Sequence, residues 1–250
     1  MLYVITGLIV LAASFLFSML GLGGALLYVP IMKWAGFPVK EVAIPLGLLL
    51  NCLTTSIALI AFARNKLVDW KGGGAMTLAA FIFAPIGAIS SDYVPTTIIL
   101  ILFSIVVIIV ATRMIFSSKQ PEPKGKISFK KRAIIGALVG SLAGFLAGLL
   151  GIGGGFLMAP LLMWMGYTTK QAAGTSAFAV TFSSFSGFLG HISQGHFNLT
   201  LTIVLGTAVI IGALIGSNFM VAKANTARIK QVFAIVLYAI AIKLIIGAIY

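Results

Sequence analysis

Residues Phe15–Ala43 read FLFSMLGLGGALLYVPIMKWAGFPVKEVA, and Phe145–Ala173 read FLAGLLGIGGGFLMAPLLMWMGYTTKQAA. Sliding the chain by 130 residues lays one stretch on the other, and 12 of the 29 positions are identical. Leucines coincide by chance in apolar sequence. The pairing of Gly21, Gly23 and Gly24 with Gly151, Gly153 and Gly154, of Pro30 with Pro160, Trp34 with Trp164, Gly36 with Gly166 and Lys40 with Lys170 does not arise that way. Self-similarity at a fixed offset marks an internal duplication, so the chain reads as one unit written twice.

In each copy an apolar run (Leu2–Leu20; Ala133–Leu150) meets the glycine cluster, a short run follows (Ala25–Ala35; Phe156–Met165), and a glycine closes it. Longer apolar runs complete each half, at 42–63, 73–91 and 96–117, then at 172–193, 199–219 and 227–249. Runs of that length span a hydrocarbon core as helices, whereas the short run covers about 16 Å, half a bilayer. The expected fold is all-α: a polytopic membrane protein of two inverted-topology repeats, each with a Gly-tipped helical hairpin plus three transmembrane helices. Repeat 1 occupies 1–116, a basic linker 117–132, and repeat 2 133–250.

Composition agrees. Of the 250 residues 60% are hydrophobic and 8% charged, against roughly 25% charged in soluble domains. The net charge of +13 does not point to nucleic acid, because the basic residues lie between the apolar runs and suit lipid headgroups and the positive-inside rule. By that rule the linker, with its six Lys and Arg, is cytoplasmic. So are Arg64–Lys71 and the loop of Lys223, Arg228 and Lys230, while Ser91–Pro95 and His191–Asn198 carry no Lys or Arg and lie outside. Corresponding loops then fall on opposite faces of the plasma membrane, both termini lie outside, and the repeats are inverted about an axis in the membrane plane. The N-terminus lacks a basic start and cleavage site and is expected to be retained. The single cysteine, Cys52, excludes an intrachain disulfide.

Gly21, Gly23 and Gly24, and Gly151, Gly153, Gly154 and Gly155, each precede a helix start, where N–H groups lack intrahelical partners and the helix dipole is positive. Glycine lets an anion approach such a backbone, and two opposed tips would make one anion site. Glycines equally permit close helix packing. The acids narrow the choice: Glu41, Asp69, Asp92 and Glu122 all fall in loops. With no carboxylate in mid-membrane, a cation or metal core is disfavoured and a small anionic or neutral substrate favoured. Polar residues within the spans are further candidates: Asn51, Thr54 and Thr55 in the first half, Thr175, Ser176, Thr181 and Ser184 in the second. They would donate to an oxyanion or bond neighbouring helices. His191 ends its segment as a proton shuttle, a gate or a structural group. No Walker-type loop and no metal-ligand spacing is present, and no cofactor is expected.

GLGGALLYVP with its Gly-Phe-Pro turn, and GLLGIGGGFLMAPLLMWMGY followed by AAGTSAF and GHFN, resemble the sulfite exporter TauE/SafE family over essentially the whole chain. The second half matches more fully: where it has Gly174-Thr175-Ser176, the first has Ile44-Pro45-Leu46. The resemblance implies secondary transport of small sulfur-containing or carboxylate anions, such as sulfite or an organosulfonate. The mechanism expected is alternating access, one repeat rocking against the other around the tips. A channel with the same site is the alternative. An intramembrane enzyme using Ser176 and His191 is disfavoured, because fifteen residues put them about 22 Å apart on one helix.

Overall fold

Glycine stops the helices where the sequence repeats. Gly36 and Gly166 adopt φ of +87° and +92°. The N–H groups of Gly36 and Phe37 return to the carbonyls of Lys33 and Met32, and those of Gly166 and Tyr167 to Met163 and Leu162. Both copies thus end their short helix with the same left-handed two-bond stop, which glycine adopts without strain.

The computed structural model describes residues 2–118, 125–192 and 198–222, with Ile235, Tyr238 and Ile242. In chain order the helices are α1 Leu2–Met19, α2 Ala25–Trp34, α3 Ile44–Arg64 (entered through a π-helical turn at Val39–Ala43), α4 Trp70–Ser90, α5 Thr96–Ser118, α6 Phe129–Leu150, α7 Gly155–Trp164, α8 Thr169–His191 and α9 Leu199–Ala222. There is no strand among the described residues. Among them α3, α4, α6 and α9 are long and apolar enough to cross a membrane, and the chain is an all-α polytopic membrane protein. The 23-residue α8 has the length, but a buried row of hydroxyls (Thr175, Ser176, Ser183, Ser184, Ser186) lowers its apolarity.

Three helices begin three or four residues earlier than the apolar runs. Helix α4 starts at Trp70 rather than 73, because Asp69 caps it, Oδ1 accepting from Gly72 N–H at 2.8 Å. Helix α8 starts at Thr169 rather than 172, capped by Thr168 accepting from Gln171 N–H at 3.3 Å. Helix α6 starts at Phe129, inside the stretch read as linker. Polar first turns carry no hydrophobic signal; at α4 and α8 a capping oxygen satisfies an orphan N–H, whereas α6 has no side-chain cap. The run 227–249 lies outside the described residues except for three positions; of these, the Tyr238 hydroxyl lies 2.6 Å from Thr112 Oγ1 on α5.

Small residues decide which helices meet. On α6, Gly136, Gly140, Gly144 and Gly148 recur every fourth residue, and α4 faces them with Met76, Ala80, Ala84 and Ala88. A Cβ on Gly144 would stand 2.5 Å from the Ala80 carbonyl oxygen, and one on Gly148 would overlap that of Ala84. The seam is backbone against backbone, the means by which helices associate where lipid removes the hydrophobic drive. A second seam joins α1 to α9: Gly212 lies on Leu11 and Phe15, and Gly216 on Phe15 and Ser18. In both seams residue numbers rise together, so each pair runs parallel.

Each half therefore lends its fourth helix to the other. Helices α1, α2, α3 and α9 pack as one bundle, and α4, α6, α7 and α8 as a second, meeting chiefly where α3 crosses α8. The second bundle has its own apolar core, with Met76 and Ala80 of α4 among Ala143, Met158, Leu162, Ala179 and Val180. Along the α3–α8 contact Asn51 bonds Ser184 and Thr55 bonds Thr181. One number rises as the other falls, so these equivalent helices are antiparallel.

Candidate functional site

The two glycine clusters meet at the middle of the molecule, and one side chain lies between them. Gly21 and Gly23 have φ of +62° and +70°, and Gly151, Gly153 and Gly154 of +72°, +75° and +75°. Such backbone turns the chain sharply between two helices, which glycine does without strain. A Cβ on Gly23 would run into the Asn51 amide, and one on Gly153 into the same amide from the other side. The tips touch each other as well: a Cβ on Gly155 would stand 2.6 Å from the Leu22 carbonyl oxygen.

Asn51 is fully buried and bonded at both ends. Its Oδ1 accepts from Ala25 N–H, the first residue of α2, at 2.9 Å, and its Nδ2 donates to Ser184 Oγ at 2.7 Å. An amide oxygen thus occupies a helix N-terminus where an anion's oxygen would be equally satisfied. Around it, Tyr28 OH lies 2.9 Å from Thr54 Oγ1, Ser183 Oγ donates to the Gly153 carbonyl at 3.0 Å, and Thr181 Oγ1 lies 3.0 Å from Thr55 Oγ1.

The tips also lock crosswise onto the helix starts of the other half. Gly21 lies on the Ala173 carbonyl at the beginning of α8, and Gly151 on Ile44 at the beginning of α3. Gly24 and Gly154 are backed by Tyr28 and by the Ala143 carbonyl. Along α8, Ala173 touches Gly21, Val180 touches Gly155 and Ser184 touches Gly153. Ser176 lies three residues after Ala173 and four before Val180, hence on this same face.

Ser176 stands apart from the other hydroxyls. Thr54, Thr77, Ser104, Thr181 and Ser217 each return a proton to the carbonyl four residues back. The Ser176 Oγ is buried and has no partner among the described residues. A buried hydroxyl without a partner costs roughly 1–3 kcal/mol, a cost that a ligand oxygen would remove.

Two of the sequence candidates lie elsewhere. Thr175 turns to the α3–α4 loop, its Oγ1 accepting from Asp69 N–H at 3.0 Å. His191 is buried at the end of α8 with Nε2 2.9 Å from the Gly148 carbonyl oxygen. Tyr28 was not anticipated. The available signal was a tyrosine one turn into a short helix whose charged residue, Lys33, lies at its far end.

Asp69 anchors a separate polar cluster. Its Oδ2 accepts from Lys126 Nζ at 3.1 Å, Arg132 Nη1 at 2.8 Å and Tyr167 OH at 3.0 Å. Burial pushes the carboxyl pKa up, but hydrogen bonds from Gly72 N–H, Lys126 and Tyr167, with the Lys126 charge, prevail and hold it at about 2. Burial pushes the Tyr167 hydroxyl up to about 12, so it remains a donor. Because the Asp69 pKa lies below its ordinary 3.8, the stabilisation is complete above that value and is lost as pH falls towards about 2. Asp69→Asn is expected to lower thermal stability in detergent at pH 7, by about 1–3 kcal/mol, and to flatten the acid limb between pH 4 and 2. An unchanged acid limb would show that the cluster contributes nothing.

These features, a duplicated glycine-to-proline hairpin with both tips on one buried asparagine, extend over a chain whose residues 6–244 match the Sulfite exporter TauE/SafE family profile. The chain belongs to the TauE/SafE family. Relatives match it over most of its length. A probable membrane transporter protein, YunE, of Bacillus subtilis is 27% identical, with 99% of each chain covered. A probable membrane transporter protein of Haemophilus influenzae is 28% identical over 93% of this chain and 94% of its own. One from Methanocaldococcus jannaschii is 26% identical over 86% and 84%. As a TauE/SafE protein the chain is a membrane transporter and not an enzyme.

Proposed function

We propose that the chain is a secondary carrier for a small oxyanion, sulfite or an organosulfonate, working by alternating access in the plasma membrane. The observation that carries this reading is the convergence of both glycine tips on Asn51. The site has N–H groups of helix starts, an amide and hydroxyls, and no described carboxylate within hydrogen-bonding distance. It is built to accept negative charge by hydrogen bonding and helix dipoles alone. Substrate oxygens would take the position of Asn51 Oδ1 at Ala25 N–H, with the unpaired Ser176 hydroxyl as a further donor.

The two repeats are inverted in this reading, which the antiparallel α3–α8 contact supports. Basic loops put the 117–132 linker in the cytoplasm and both termini outside. The exchanged fourth helices favour different moving bodies from those suggested by the duplication. Each seam, α4–α6 or α1–α9, joins one half to the other, so the bundles rather than the repeats would rock about the α3–α8 contact.

Labelled sulfite uptake into proteoliposomes tests the reading, with sulfonates, carboxylates, sulfate and inorganic cations as competitors. Saturable uptake, counterflow with unlabelled sulfite, and competition by one class of anion are expected. Competition by cations alone would reject the anion site, and flux without saturation or counterflow would make the protein a channel.

A further inference from the structure

We infer that a pocket at the α3–α4 turn, remote from the glycine tips, binds the phosphate group of an anionic phospholipid, with an acyl chain lying along α8. The pocket has a volume of about 430 Å³, and Lys66, Trp70, Lys71, Lys126 and Gln171 line it together with the turn itself. Three ammonium groups face it against one carboxylate. That carboxylate, Asp69, already accepts from Gly72, Lys126, Arg132 and Tyr167. Lys66 and Lys71 are exposed and make no ion pair with any described residue. Among the described residues the pocket thus retains positive charge that no carboxylate neutralises.

Lys66 is also a costly residue at its position. It has φ +57° and is the only described non-glycine in the left-handed region. It ends α3 with the same two-bond stop that Gly36 and Gly166 make, its N–H returning to Ala63 and that of Leu67 to Phe62. Glycine would hold this conformation without strain. Lysine adds a charge at the rim of the pocket.

The apolar neighbourhood separates a lipid from a free anion. Trp70 is 51% exposed and meets Phe178 edge-on at 4.8 Å, and Phe178 meets Phe182 at 5.5 Å. Exposed Phe185 and Leu189 continue the line along α8, at the spacing of one helix face. Tryptophan beside lysine is the arrangement found where a membrane helix passes the headgroup layer, and basic pockets between helices bind phosphate headgroups. A soluble phosphate would use the lysines but would leave the aromatic row without a role. A phospholipid uses both.

The test is a thermal-shift titration of the purified full chain in detergent with three probes: dioleoyl phosphatidylglycerol, dioleoyl phosphatidylcholine and inorganic phosphate. Saturable stabilisation by phosphatidylglycerol alone is expected. Each surface lysine contributes about 1 kcal/mol to anionic-lipid binding, so Lys66→Gln with Lys71→Gln should weaken it about thirty-fold. In a Trp34→Phe, Trp164→Phe background, phosphatidylglycerol brominated on its acyl chains should quench Trp70 fluorescence more strongly than the brominated phosphatidylcholine. Equal response to the two lipids, or no change in the double lysine variant, would overturn the site. Inorganic phosphate as effective as phosphatidylglycerol would overturn the lipid assignment and leave a pocket for soluble anions. None of these outcomes depends on which anion the tips carry.

Discussion

Gly23→Ala and Gly153→Ala are expected to abolish sulfite uptake, and Gly36→Ala to retain most of it. All three glycines have left-handed backbone, with φ of +70°, +75° and +87°, so alanine imposes a similar strain of about 1–2 kcal/mol at each. The surroundings differ. A Cβ at Gly36 meets nothing within 4 Å, whereas one at Gly23 or Gly153 meets the Asn51 amide. Asn51 cannot yield cheaply. Its amide bonds Ala25 N–H and Ser184 Oγ at once, and displacing it leaves buried polar groups unpaired at about 1–3 kcal/mol each. A methyl group at either tip therefore closes the space where substrate oxygens would bind. Uptake is measured per folded protein, with folding checked by thermal unfolding in detergent. Equal losses in all three variants would make backbone strain the cause, and wild-type uptake in Gly23→Ala would remove the tips from the transport site.

The hairpins were legible in the sequence because a helix stop and a tight approach both demand glycine, and glycine survives duplication as a visible match. The crossing helices were legible because apolar length reports directly on the bilayer. Their starts were less so: Asp69 and Thr168 cap first turns containing Lys71, Lys170 and Gln171, which hydropathy assigns to loops. The exchange of fourth helices was hidden, because the stripe on α6 says that something packs closely but not which helix does. That choice is made by the small residues of α4 at matching intervals.

Within the site, polarity inside a span marked Asn51 and Thr181 as candidates, and the 130-residue offset lays one on the other, but neither shows that the roles differ. Asparagine reaches across to Ala25 N–H and Ser184, whereas Thr181 returns its proton to Ala177 and lies against Thr55. A side chain of two functional ends can bridge what a hydroxyl cannot. Thr175 and Ser176 were indistinguishable as neighbours in sequence. On a helix they point about 100° apart, and one faces the Asp69 loop while the other shares the face that meets the tips.

Cross-linking separates the two ways in which such a molecule could move. After Cys52→Ala, the pair Thr55→Cys with Thr181→Cys spans the contact between bundles, where the two native hydroxyl oxygens are 3.0 Å apart. The pair Met76→Cys with Gly136→Cys spans the α4–α6 seam, where a Cβ on Gly136 would stand 3.4 Å from Met76 Cβ, close to disulfide geometry. If the bundles rock on each other, oxidation of the first pair should reduce uptake at least ten-fold relative to the same variant reduced, and reductant should restore it. Oxidation of the second pair should leave uptake unchanged, because the seam lies inside one moving body. Rocking of the sequence repeats makes a different demand: α4 and α6 belong to different repeats and would have to part, so the seam cross-link would block transport as well. Loss of uptake on oxidising Met76→Cys with Gly136→Cys would therefore restore the repeats as the moving bodies. Free transport with the Thr55–Thr181 cross-link closed would place the movement away from the α3–α8 contact altogether.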